Sequence, residues 1–179
     1  MTTEAFTRQL LPLRDRCFRY AVSMLRNRAE SEDIAQDVML KLWDRRNALS
    51  TVGDLTGYSL RATRNAVLDR VKRSGFRSEP IEALYAQAST RPDPAQLTEQ
   101  NEAMRAFLRA LQHLPLVQRE IIQLREVEGM NYAEIGSCLE LSESQVKVYL
   151  HRGRKQLRAL LDPSHNPAHS GANKPSTHG

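Results

Sequence analysis

Lys147, His151, Arg152, Arg154, Lys155 and Arg158 fall in a stretch with no acidic residue from Ser144 to Leu161. Such a run does chemistry of one kind. Ammonium and guanidinium groups neutralise phosphates, and Arg and Lys also donate to the base edges exposed in the major groove. A second basic run lies upstream, where Arg61, Arg64, Arg70, Lys72 and Arg73 face the single acid Asp69, with Tyr58 near its start and Gly53 in the preceding loop. Cations that follow phosphates, next to an aromatic face and a loop pocket, suit an unpaired strand, although Tyr58 serves equally well as a core residue. A third group is acidic: Asp33, Gln36, Asp37 and Asp44 surround Leu40. No paired carboxylates, nucleophile–base set or phosphate-cradling glycine loop accompanies these groups, so no catalytic residue is assigned.

These side chains need elements to position them. From Asn131 to Leu161 the pattern is two short helices joined by a tight turn. Ala133, Ile135, Cys138 and Leu139 give the first its apolar face, Leu141 fills the turn, and Ser142 has the hydroxyl of an N-cap. Val146, Leu150, Gly153 and Leu157 then recur at three- and four-residue steps on one buried face, leaving the cations on the other. A basic face alone would be an ordinary solvated surface. The missing acids, the capped turn and the small Gly153 in the apolar stripe favour a helix-turn-helix whose second helix enters the DNA major groove.

The remainder reads as helices too. A first runs from about Glu4 to Leu25 on Phe6, Leu10, Leu13, Cys17, Tyr20 and Ala21. A second, near Ser31 to Arg46, buries Ile34, Ala35, Val38, Met39 and Leu42 and turns the acidic group outward. A third spans about Leu55 to Arg73, with Tyr58, Ala62, Ala66, Val67 and Val71 inside. Residues 75–94 contain Gly75, Pro80, Pro92 and Pro94 and form a linker, with an apolar anchor at Ile81–Tyr85. Two further helices, to about Leu114 on Leu97, Met104, Leu108 and Leu111 and then Leu116–Val127, precede the helix-turn-helix. The fold class is therefore all-α, in two small helical domains: residues 1–74 and 95–161, with a polar, disordered tail at 162–179.

Composition agrees with a polyanionic partner. The 179 residues carry a formal charge of +5 and a pI near 9.5, which favours nucleic acid over an acidic-substrate enzyme. Cys17 and Cys138, far apart and each in an apolar pattern, read as buried free thiols. With no CxxC pair or His/Cys cluster, neither a metal nor a cofactor is expected. No signal-peptide run occurs, and no stretch approaches the roughly 18 apolar residues of a membrane span, so no membrane insertion and a cytoplasmic location are expected.

The strings SEDIAQDVMLKLW, GYSLRATRNAVLDRVKR and LPLVQREIIQLREVEGMNYAEIGSCLELSESQVKVYLHRGRKQLR resemble bacterial RNA polymerase sigma factors, in particular the two-domain extracytoplasmic-function (ECF) group of the sigma-70 family. The resemblance covers roughly 11–74 and 95–161, with the two domains in the family's order. It implies a non-enzymatic subunit that binds core RNA polymerase and directs promoter-specific initiation of transcription. Asp33, Gln36, Asp37 and Leu40 would dock on core polymerase. The loop 47–54 with Arg61, Arg64, Asn65 and Arg70 would bind the minus-ten element and hold its non-template strand open. Lys147, Val148, His151 and Arg152 would read the minus-thirty-five element as duplex, with Tyr132, Arg119 and Arg154 on phosphates. Val148 and Tyr149 stand where Ser and Arg are frequent in relatives, and Ser59 where an apolar residue is frequent. The resemblance further implies a protein monomeric on the polymerase and, as for many members, an anti-sigma partner. The rival from another class is a dimeric helix-turn-helix regulator on a palindromic operator, which has no need of the acidic face.

Overall fold

Pro12 divides what periodicity suggests is one long first helix. In the computed structural model of the chain, which describes residues 1–73, 97–162 and 164, α1 (Thr3–Gln9) and α2 (Leu13–Leu25) replace it. Proline has no N–H to give to the turn behind it, and the chain bends over Leu10–Pro12. α3 (Arg28–Asp44) begins before Ser31 because Asn27 caps it, its Oδ1 accepting from Glu30 N at 3.0 Å. A short α4 (Arg46–Leu49) leads to α5 (Leu55–Lys72), capped by Asp54. The second half holds α6 (Leu97–Gln112), α7 (Leu116–Ile122), a π-helical turn at Gln123–Val127, α8 (Tyr132–Leu139) and α9 (Glu143–Leu161). Every regular element among the described residues is helical, as expected. The expected linker, its Ile81–Tyr85 anchor, and all of the expected tail except Asp162 and Ser164 lie outside the described residues.

In the first half α2, α3 and α5 pack around Tyr20, Leu25, Ile34, Leu42 and Leu60, each almost wholly buried. The inner face of α5 differs from the expected one. Leu60, Thr63 and Val67 are buried together with Ser59, whereas Tyr58, Ala62 and Ala66 are half-buried and Val71 is exposed. Two small polar residues can sit inside because each hydroxyl bonds its own helix: Ser59 Oγ donates to Leu55 O at 2.7 Å and Thr63 Oγ1 to Ser59 O at 2.8 Å. That pattern hides a buried face from a search for apolar residues. In the second half Leu111, Ile121, Ile122, Leu124, Ile135 and Leu150 form the interior, while Met104, expected inside, is exposed.

The two halves touch. α5 lies against α8, and α2 meets the π-helical turn. The sequence pattern contains no signal for that contact.

Candidate nucleic-acid interface

The helix-turn-helix is built from two capping boxes. Asn131 Oδ1 accepts from Glu134 N at 2.9 Å while Glu134 Oε2 accepts from Asn131 N at 2.7 Å, which starts α8. Ser142, the expected N-cap of α9, does the same with Gln145. Each box satisfies two backbone donors that the first turn cannot. Between them the chain reverses at Glu140, whose φ is 60°, and Leu141 N donates to Gly136 O at 2.9 Å. Gly136 has to be small: a Cβ there would lie 2.5 Å from Leu141 O. Val146, Leu150, Gly153 and Leu157 are buried as the spacing predicts, and Ile135, Cys138 and Leu139 bury the inner face of α8. Ala133 does not join them. It is exposed, because at 3.6 residues per turn it falls on the side of α8 opposite Ile135.

The outer face of α9 is open to solvent. Lys147, His151 and Arg152 are exposed, and Val148 is 47 % exposed among them. A concave basic surface of about 630 Å³ is lined by Tyr132, Lys147, His151, Arg154, Lys155 and Arg158. Tyr132 forms its edge, with Arg125 5.1 Å and Lys147 5.5 Å from its ring centre. Arg154 is paired with Glu126 (Nε to Oε1, 2.8 Å) within the same half. Arg119 is engaged differently, since its guanidinium donates to the carbonyls of Leu111, Gln112 and Leu114 and closes the end of α6. Burial lowers its pKa.

Two cations of the basic face of α5 contact the other half of the chain. Arg64 Nε donates to Glu120 Oε1 at 2.7 Å, and Arg61 Nη2 to both the carbonyl and hydroxyl of Ser137 at 2.7 Å. Burial works against the Arg64 charge, but hydrogen bonding to Glu120 and its negative charge outweigh this and raise the pKa. Arg70 pairs with Glu30 on α3, and Asn65 is exposed. Two acids carry this packing, Glu120 and Glu128, and local spacing gives neither of them a partner. Glu128 accepts from Arg16 Nε at 2.9 Å and from Arg19 Nη2 at 3.0 Å. Its only sequence signal is an acid set between apolar helices.

On the far side, Asp33, Gln36, Asp37 and Leu40 all face solvent, Leu40 with 55 % of its surface exposed. Beside them an apolar groove of about 580 Å³ runs between α1 and α3, lined by Phe6, Leu11, Met39, Leu40 and Trp43. Gln36 and Leu40 thus belong to the groove's lining, together with Arg14, while Asp33 and Asp37 are exposed on the same helix. Cys17 and Cys138 are free and buried, and burial pushes both thiols up to about 11. No cluster of metal-ligating side chains occurs among the described residues, and no helix among them is long and apolar enough to cross a membrane.

Family patterns match both halves. The one described as Sigma-70 region 2 covers residues 11–77, and that described as Sigma-70, region 4 covers residues 104–157. The chain belongs to the sigma-70 family. Within that family it falls in the ECF group. It is similar to the ECF RNA polymerase sigma factor SigE of Mycolicibacterium smegmatis, with 32 % identity over 149 residues that span 82 % of this chain and 58 % of the relative. The probable RNA polymerase sigma factor RfaY of Xanthomonas campestris pv. campestris is 32 % identical over 147 residues, covering 79 % of this chain and 36 % of the relative. The chain thus spans less than two thirds of either of these relatives. Its fold is shared with the sigma factor RpoE of Bartonella quintana, solved in complex with the anti-sigma factor NepR: the TM-score is 0.71 at 23 % identity, over 89 % of this chain and 98 % of that one. The sigma-70 assignment fits both faces just described, with region 4 carrying the basic α9 and region 2 the acidic side of α3.

Proposed function

We propose that this chain is a promoter-specificity subunit of RNA polymerase with no active site of its own. Region 2, within residues 1–74, docks on core polymerase through Asp33, Gln36, Asp37 and Leu40, and the neighbouring groove receives an apolar side chain of that partner. Arg61, Arg64, Asn65 and Arg70 of α5 bind the melted non-template strand of the minus-ten element. Region 4, within residues 95–161, reads the minus-thirty-five element as duplex through Lys147, Val148, His151 and Arg152, with Tyr132 and Arg154 at the phosphates. Arg119 acts here through structure, because its donors are engaged by the end of α6. An anti-sigma protein is a fitting further partner, as for the RpoE relative.

The observation that carries this reading is the presence in one chain of a capped helix-turn-helix with an open basic face and, elsewhere, an exposed face of α3 that carries Asp33 and Asp37 and includes Gln36 and Leu40 of an apolar groove. A regulator acting alone on DNA needs the first and not the second. Each reader is weak by itself, and polymerase raises the effective concentration of one once the other is bound.

In vitro transcription from a promoter library with purified core polymerase tests the proposal. Defined start sites should appear only when this chain is added. Asp37→Arg should abolish co-purification with core enzyme while leaving duplex binding unchanged. Tight binding to a palindromic site without polymerase, together with unaltered core association of that variant, would instead establish the regulator.

A further inference from the structure

The outermost line of α9 is not wholly cationic. Val146, Leu150, Gly153 and Leu157 form its buried stripe. At about 100° per residue, Val148 lies about 170° round the axis from the middle of that stripe. It therefore points away from the core, with 47 % of its surface exposed. It is also the sixth of nineteen residues, in the half of a recognition helix that contacts base edges. Leu160 and Leu161, the other large apolar side chains that α9 exposes, stand in its last turn, clear of that half.

The polar neighbours leave this tip to carbon. Gln145 Oε1 accepts from Ser142 N within the capping box, and Lys147 Nζ lies 5.5 Å from the ring centre of Tyr132. His151 and Arg152 are exposed, one on each flank of Val148.

A side chain with no donor or acceptor suits little of the major-groove floor. Against a purine N7, a guanine O6 or an exocyclic amine, the isopropyl group would strip water from a polar edge and return no hydrogen bond, which is costly. One feature of the floor has the opposite character: the methyl on C5 of thymine. Methylated cytosine carries the same group on the same carbon. Two apolar groups that meet there hide each other from water. Valine, stiff at χ1 in a helix, loses little freedom in making the contact.

We propose that Val148 is a specificity-determining residue that takes the C5 methyl of a pyrimidine, so that the duplex element read by α9 carries a 5-methyl group at the step Val148 faces. Lys147, His151 and Arg152 supply the phosphate and base-edge hydrogen bonds around it, and Val148 selects by shape and polarity. This role rests on the duplex-reading function proposed above for α9 and needs nothing of the docking face of α3.

The duplex is selected from a random-sequence library with the full chain on core polymerase and, in parallel, with the full chain alone. In the selected element each thymine is then replaced in turn by deoxyuridine, and each cytosine by 5-methylcytosine. These exchanges remove or add one methyl and leave every hydrogen-bonding group in place. Gel-shift titration reads the affinities of wild type, Val148→Ala and Val148→Ser, with helix content checked by circular dichroism. At one position at least, wild type should bind the methylated form about four-fold more tightly, as expected for one methyl group hidden from water. That ratio should shrink in Val148→Ala and fall to about one in Val148→Ser. Comparing the ratio between variant and wild type removes any effect of the methyl on the duplex itself. A response at thymine makes the source an ordinary base, and a response confined to 5-methylcytosine makes it a modified one; both support the contact. No methyl-sensitive position, or a ratio that Val148→Ser leaves unchanged, overturns it while the duplex-reading role of α9 stands. If neither selection enriches a duplex, that role falls and the contact with it.

Discussion

Arg152 and Arg64 show how one residue type serves opposite purposes at two places. Arg152 stands exposed on the outer side of α9 with no acid within its own helix after Glu143, free to turn its fork to a base edge. A bidentate contact of that kind is worth about 1–3 kcal/mol. Arg152→Ala should therefore lower transcription from the cognate promoter by about ten- to a hundred-fold, with core association retained. A gel shift on the upstream element and a pull-down with core enzyme check the two halves of that statement. Arg64 has its donors engaged by a buried carboxylate 56 residues away. From sequence the two arginines are equivalent, both lying on the polar side of a helix. The cations of α9 were legible because local spacing alone places them opposite Val146, Leu150 and Leu157. Partners of Arg16, Arg19, Arg61 and Arg64 were not, because a charge on a helix face carries no mark that says whether water or a distant residue will satisfy it.

Elements were legible where a cap or a steady apolar stripe defines them. Ser142 and the stripe through Gly153 fixed the start and orientation of α9, and the acidic side of α3 followed from the burial of Ile34, Val38 and Leu42. Interruptions were harder to see. Leu10 and Leu13 keep the apolar rhythm across Pro12, so periodicity passes over a break that the missing N–H enforces. The widened turn at Gln123–Val127 leaves the apolar content unchanged and has no composition of its own. The turn between α8 and α9 makes the most demanding steric claim. At Gly136 the backbone of Leu141 comes so close that even a methyl group must displace it, and Val146 packs alongside. Gly136→Ala gains helix propensity by about 1 kcal/mol, but overpacking against the backbone costs about 1–3 kcal/mol or more, so the loss should prevail. Thermal melting should show a lower Tm than wild type. Duplex binding should weaken more than core association, since the displaced segment carries the N-cap of α9 and not α3.

For the whole molecule, the buried thiols link folding to alkaline pH. Burial pushes Cys17 and Cys138 up to about 11, whereas a thiol in the unfolded chain ionises about two units lower. The folded form therefore keeps protons that the unfolded form releases. The stability this contributes is fully present below about pH 9 and is lost as pH rises through about 11, by at most about 2–3 kcal/mol for each thiol. The two thiols differ in what surrounds them. Cys17 sits on α2 beside Thr63, inside region 2, and feels Glu128 only as a neighbouring charge. Cys138 belongs to α8, yet Arg61 and Arg64 of region 2 are the cations nearest enough to favour its thiolate. Urea unfolding of the wild type should show stability falling between about pH 9 and about pH 11, the window set by the unfolded and folded thiol pKa values. Cys17→Ala/Cys138→Ala should lose less over the same interval, whatever its stability at neutral pH. An equal loss in the double variant would assign the alkaline transition to the buried hydroxyl of Tyr20, whose pKa is also raised by burial and by Glu120.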